Sequence, residues 1–132
     1  MNERRQMEEL WSREKYRVMY HSQAHYGRIR EILKGNPSFA DIESLIGEAV
    51  RTRPTPGSVR NAVQHMWGYF KRQADEGERQ AYLRLLDGFS AGSVREEELL
   101  CFIRQLAEKY RVGYLLNSTI IESGQHKKGS PH

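Results

Sequence analysis

Apolar positions recur every three or four residues along almost the whole chain, the period of an α-helix, and no hairpin signal interrupts them. Between Glu3 and Lys34 no proline intervenes, and Trp11, Val18, Tyr26, Ile29 and Leu33 fall on one side of a single long helix. Gly35-Asn36-Pro37 ends it, a glycine stop followed by a ring that cannot continue the helix. Ser38 reads as an N-cap with Asp41 in the first turn, opening a second helix through Ile42, Leu45, Ile46, Ala49 and Val50. Arg53-Pro54 stops that helix. Thr55-Pro56-Gly57-Ser58 starts the next, with Thr55 as N-cap, Pro56 at the first helical position, and a core stripe of Val59, Val63, Met66 and Phe70.

A fourth helix follows Asp75-Glu76-Gly77, carries Tyr82, Leu85, Leu86 and Phe89, and closes near Gly88–Gly92. Ser93 is expected to cap a fifth, with Glu96-Glu97-Glu98 near its positive end and Lys109 and Arg111 near its negative end. Its apolar positions are Leu99, Leu100, Phe102, Ile103, Leu106 and Tyr110. Gly113–Ile121 is apolar but short, a last helical turn or an extended piece packed on the rest. The pattern predicts an all-α single domain of about five helices, orthogonal or bundle-like, over residues 1–123, with a flexible C-terminal tail over 124–132.

Composition narrows the function classes. A chain of 132 residues, 38% hydrophobic, builds a core without disulfides or structural metal. No apolar run approaches the ~20 residues of a membrane span. The opening Met1-Asn2-Glu3-Arg4-Arg5 lacks a signal-peptide stretch, so a cytoplasmic location is expected. One cysteine, Cys101, excludes an intrachain disulfide and any cysteine-based zinc or iron–sulfur site within this chain alone. Its apolar neighbours suggest an inert core thiol. Ser22, Ser58 and Ser118 lack a nucleophile-elbow motif, and neither a Walker loop nor a Gly-x-Gly-x-x-Gly is present. No catalytic residue, metal or cofactor is therefore expected.

Charge adds a direction. The net charge is +4, from 21 Lys and Arg against 17 Asp and Glu. Residues 51–73 carry five bases (Arg51, Arg53, Arg60, Lys71, Arg72) and no acid, whereas residues 74–110 carry eight acids against five bases. Residues 13–34 hold six bases against two acids. Positive charge gathered in the first and middle parts of a chain marks either a solvated basic surface or one that faces a polyanion.

Two helices carry polar residues that packing does not explain. On the first, Lys15 and Ser22 fall inside the apolar stripe, where a lysine must snorkel, pair with a carboxylate or face a bound group. His21 and His25 stand four apart, the spacing of two metal ligands on one helix face, without a placed third ligand. On the third, Asn61, His65, Gly68 and Arg72 lie opposite the core stripe, flanked by Arg60, Gln64, Trp67 and Lys71. These side chains hydrogen-bond phosphates, sugars and exposed bases, and Trp67 or Tyr69 offers a ring for an unpaired base. A glycine within a helix suggests a close neighbour, either another helix or a ligand.

The same residues carry a family resemblance. Leu10-Trp11, Glu14-Lys15-Tyr16, Met19, His21-Ser22 and Tyr26 resemble the opening of the YbgA family. Arg53-Pro54-Thr55, Gly57-Ser58, Asn61, Gln64-His65 and Gly68-Tyr69-Phe70-Lys71 are similar to its central signature, and Tyr114-Leu115-Leu116-Asn117 to a third block. The chain departs from the pattern at Tyr20, Pro56 and Val59. Members of that family stand alone or follow a cysteine-rich iron–sulfur domain of the thiouracil-desulfidase type. The resemblance thus implies an accessory domain that binds RNA, most of all transfer RNA, for removal of sulfur from thiolated uridine. The family-pattern polar residues are Lys15, His21, Ser22, Asn61, Gln64, His65 and Lys71, to which Arg53, Arg60 and Arg72 add phosphate-binding charge. Two other functions stay open. One is a module that docks a separate desulfidase-type protein through an apolar patch at Trp67 or Tyr114–Ile121. The other is a small nucleobase- or nucleotide-processing enzyme using His21 and His65 in one pocket.

Overall fold

Five of the helices begin where a short polar side chain occupies a free N–H group of the first turn. The computed structural model describes residues 2–122, and among them every regular element is helical. Asn2 accepts from the Arg4 N–H at 2.8 Å and starts α1 (Glu3–His21). Helix α2 spans Gln23–Leu33, α3 Phe39–Arg51, α4 Pro56–Trp67, α5 Glu76–Ala91, α6 Glu96–Lys109 and α7 Gly113–Leu116, with a last helical turn at 119–122. Reciprocal capping boxes join Ser38 to Asp41, Thr55 to Ser58 and Asp75 to Glu78. The all-α class stands, with more helices than the five expected. The expected C-terminal tail at 124–132 lies outside the described residues.

The largest departure is at Ser22. The long first helix is two helices, because Ser22 adopts φ −160° and ψ 111° and its hydroxyl accepts from the His25 N–H at 3.1 Å. Its own N–H still closes α1 on the Val18 carbonyl at 2.7 Å. A serine that caps from within a run of helical periodicity breaks it without proline or glycine. The break also separates His21 from His25, so the two no longer share a helix face. His21 Nδ1 donates to the Thr52 carbonyl at 2.7 Å, while His25 Nδ1 meets the Ser22 hydroxyl at 2.8 Å. Among the described residues no group of three potential metal ligands exists.

Helix α1 stands between two hydrophobic clusters. Met7 and Val18 join Ile29 of α2 and Ile42, Leu45, Ile46 and Ala49 of α3. Tyr16, Met19 and Tyr20 join Val59, Val63, Met66 and Phe70 with residues of α5, α6, α7 and the last turn. A helix buried on two sides shows no single apolar stripe, which is why Tyr16, Met19 and Tyr20 escape a one-face reading.

Two boundaries also differ from expectation. Ser93 closes α5 rather than opening α6: its N–H donates to the Gly88 carbonyl at 2.8 Å, next to Gly92 at φ +86°. Arg95 is the N-cap of α6, and Glu98 reaches back to its N–H at 3.0 Å. Helix α4 ends at Trp67, so Gly68 is a cap residue and residues 68–73 are turns. A Cβ on Gly68 would meet the His65 carbonyl at 3.1 Å; the close approach comes from its own backbone.

Lys109 ties the end of α6 to the start of α5, pairing with Glu78 and, at 3.9 Å, with Asp75. Lys109 Nζ lies 2.6 Å from Glu78 Oε2, and the Tyr110 hydroxyl donates to Glu78 Oε1 at 2.5 Å. Lys109 and then Tyr110 hold the Glu78 carboxyl down at about 2. A carboxyl with a lowered folded-state pKa stabilises the fold fully above its unfolded value of about 4.3. That contribution is lost as pH falls through the window down to about 2. Glu78→Gln is therefore expected to be less stable than wild type at pH 7, with the gap closing as urea titrations move from pH 5 to pH 2. A gap that stays constant over that range would exclude the ionised carboxylate as its source.

Candidate nucleic-acid interface

Helix α4 turns Val59, Val63 and Met66 inward, which leaves Gln64 and His65 exposed and Asn61 half-buried on the other side. The turn that follows exposes Lys71 and Arg72, and the loop before the helix exposes Arg53. Arg53, Lys71 and Arg72 form no ion pair among the described residues. No carboxylate lies anywhere between residues 51 and 73 to neutralise them. This strip can accept phosphate oxygens on its cations, and sugar or base edges on its amides and imidazole.

The other predicted residues divide by what they already touch. Arg60 is half-buried, and its Nη1 donates to the Ser90 hydroxyl at 2.6 Å and to the Leu86 carbonyl at 3.3 Å. Through that one nitrogen it ties α4 to the carbonyl end of α5. Ser22 is occupied in capping α2. His21 sits beside the loop that carries Arg53, held to Thr52. Lys15 pairs with no carboxylate among the described residues: its ammonium lies 5.2 Å from the centre of the Tyr16 ring and 5.4 Å from that of Tyr114. The first-helix residues thus reach both ends of α4. The contacts of Lys15 lead through Tyr114 to Tyr69, just beyond the C-terminal end, while His21 and Ser22 lie towards the N-terminal end.

Trp67 is not a surface ring. It is buried, stacked on Tyr82 with centroids 4.2 Å apart and planes 8° from parallel, and flanked by Phe70 and Phe102. Tyr69 takes the exposed position instead. It is 38% exposed and stacks on Tyr114, 39% exposed, at 6.0 Å and 22°. Tyr16 stands edge-on to both, and its hydroxyl shares a hydrogen bond with that of Tyr69 at 3.0 Å. Burial, and then this bond, raise the Tyr16 hydroxyl above its ordinary range. Three distant segments meet here, one from each block of the resemblance. Of the three, Tyr69 alone was expected as a stacking ring and Tyr114 only as the start of an apolar docking segment, since nothing local signals that Tyr16 and Tyr114 converge on Tyr69.

A cleft of about 900 Å³ opens between α1, α6 and the Pro54 loop. Tyr20, Glu96, Arg17, Arg95 and Arg104 line it with His21, and the buried Tyr20 hydroxyl donates to the Glu96 carboxylate. Burial first and that carboxylate second push the Tyr20 hydroxyl upward. Sequence reasoning assigned Glu96-Glu97-Glu98 to the helix dipole alone and missed this role. Cys101, expected in the core, is half-buried on the cleft wall. His65 is not among the residues lining this cleft, so the two histidines do not share it as the enzyme reading requires. The apolar patch required for protein docking is reduced as well, because Trp67, Leu115, Ile120 and Ile121 are all buried. No helix among the described residues is long and apolar enough to cross a membrane.

The described residues form an all-α domain that exposes Arg53, Gln64, His65, Lys71 and Arg72 along α4 and the segments on either side of it. Residues 15–123 match the family described as "Protein of unknown function (DUF1722)", and the chain belongs to that family. No curated protein and no solved structure matches the chain.

Proposed function

We propose that this chain is a YbgA-like accessory domain that binds RNA, with transfer RNA as its ligand and a separate iron–sulfur desulfidase-type protein as its catalytic partner. One observation carries the reading: Arg53, Lys71 and Arg72 are exposed and unpaired among the described residues, and they bracket the exposed amide and imidazole of Gln64 and His65. The cations set affinity through phosphates without reading sequence. Asn61, Gln64 and His65 contact sugar or an exposed base, and Lys15 and His21 extend the surface from α1. The domain lends binding and leaves the sulfur chemistry to the partner, consistent with its single cysteine.

The test is binding of the purified chain to bulk transfer RNA from 50 to 200 mM salt. Affinity is expected to fall steeply over that range, as release of counterions from several phosphates requires. Absence of binding at the lowest salt would refute the reading.

A further inference from the structure

The tyrosine cluster at the end of α4 goes further, on the assumption that the domain binds RNA at all. Tyr69 and Tyr114 are partly exposed, while the buried Tyr16 makes a T-shaped ring contact with each and shares a hydroxyl hydrogen bond with Tyr69. The pair is offset-stacked, so its direction is set before any ligand arrives. Its surroundings are cationic. Lys15 rests against Tyr114, and Lys71 and Arg72 share the turn of Tyr69. Glu14, the α1 carboxylate closest to Lys15 in sequence, is engaged by Arg17 at 3.4 Å and by the Thr119 hydroxyl at 2.9 Å. Flat rings rimmed by unneutralised cations suit a ligand that is itself both planar and polyanionic.

We propose that Tyr69 and Tyr114 form a stacking platform for an unpaired base, so that the domain engages RNA at a single-stranded segment rather than along a duplex. Paired bases present no free face, and an A-form helix offers a protein mainly its backbone and shallow groove. Lys15, Lys71 and Arg72 hold the phosphates on either side of the stacked base.

The experiment compares an unstructured 12-nucleotide oligouridine with a 12-base-pair RNA duplex by fluorescence anisotropy. Wild type is expected to bind the single strand more tightly. Tyr69→Leu with Tyr114→Leu, which keeps apolar bulk and removes the flat rings, is expected to lower single-strand affinity roughly 10-fold or more. Duplex affinity should stay unchanged, and the conservative Tyr114→Phe, which keeps the ring and the Tyr16–Tyr69 hydrogen bond, should retain the single-strand affinity that Tyr114→Leu loses. Photo-crosslinking of wild type to 5-iodouridine-substituted strand needs no variant to fold, and the adduct is expected on Tyr69 or Tyr114. If the leucine pair binds both RNAs as wild type does, or the adduct maps elsewhere, the platform is wrong while RNA binding stands. The face is then open to a protein partner. If wild type binds neither RNA, the functional reading fails and takes the platform with it.

Discussion

Trp67→Ala is expected to cost the domain about 3–5 kcal/mol, the range for removing a buried large aromatic side chain. The indole fills the space between Tyr82, Phe102 and Phe70, and its stack on Tyr82 at 4.2 Å joins α4 to α5. Alanine leaves a cavity that three large rings cannot readily close. Against a typical total stability of about 5–15 kcal/mol, that loss brings the protein near its unfolding threshold. At about 4 °C for each kcal/mol, the melting temperature should drop by roughly 12–20 °C. Gln64→Ala, on the exposed side of the same helix, should change stability by no more than about 0.5 kcal/mol. The comparison separates two roles for an aromatic residue on this helix. Were Trp67 a surface ring used for stacking, its removal would weaken RNA binding and leave the melting temperature in place.

The second large effect is electrostatic. Changing Arg53, Lys71 and Arg72 to glutamate removes three phosphate partners and puts three like charges in their place. Each neutralised phosphate contributes a slope of about −0.7 to −0.9 in the dependence of log K on log salt. Loss of three should flatten that slope by about 2–3, and at 0.1 M salt lower affinity on the order of 100-fold. Repulsion adds to the loss, while stability should move little because these side chains are exposed. Arg60 is left out of the set, since its bonds to Ser90 and Leu86 would confound binding with folding. A variant that retains wild-type affinity and slope would move the interface away from α4.

What the sequence made legible is local chemistry. Ser38 and Thr55 announce their helices because a capping hydroxyl and the matching third residue are neighbours in the chain. The stripe Val59, Val63, Met66 and Phe70 follows from a helix buried on one side, and all four are buried. Ser22 was unreadable as a break, since a mid-run serine has the same appearance whether it back-bonds within a helix or caps a new one. The roles of Trp67 and Tyr69 were likewise indistinguishable until α4 was seen to end at Trp67. From there the backbone bonds tighten, with the Tyr69 N–H donating to the Met66 carbonyl at 3.1 Å and the Phe70 N–H to the Trp67 carbonyl at 2.9 Å. Exposure of Gln64, His65, Lys71 and Arg72 was foreseen from the wheel and the charge pattern, whereas the Tyr16–Tyr69–Tyr114 cluster depends on tertiary packing across three segments.

The position of α1 between the two clusters governs how the molecule comes apart. Neither half owns a complete wall: detaching α3 uncovers Val18, and detaching α4 uncovers Met19 and Tyr20. Sub-global openings therefore peel away outer elements such as α3 or α5 at modest cost. The middle of α1 is released only when both sides have gone, so its amides, from Tyr16 to Tyr20, belong to the last unit to exchange with solvent.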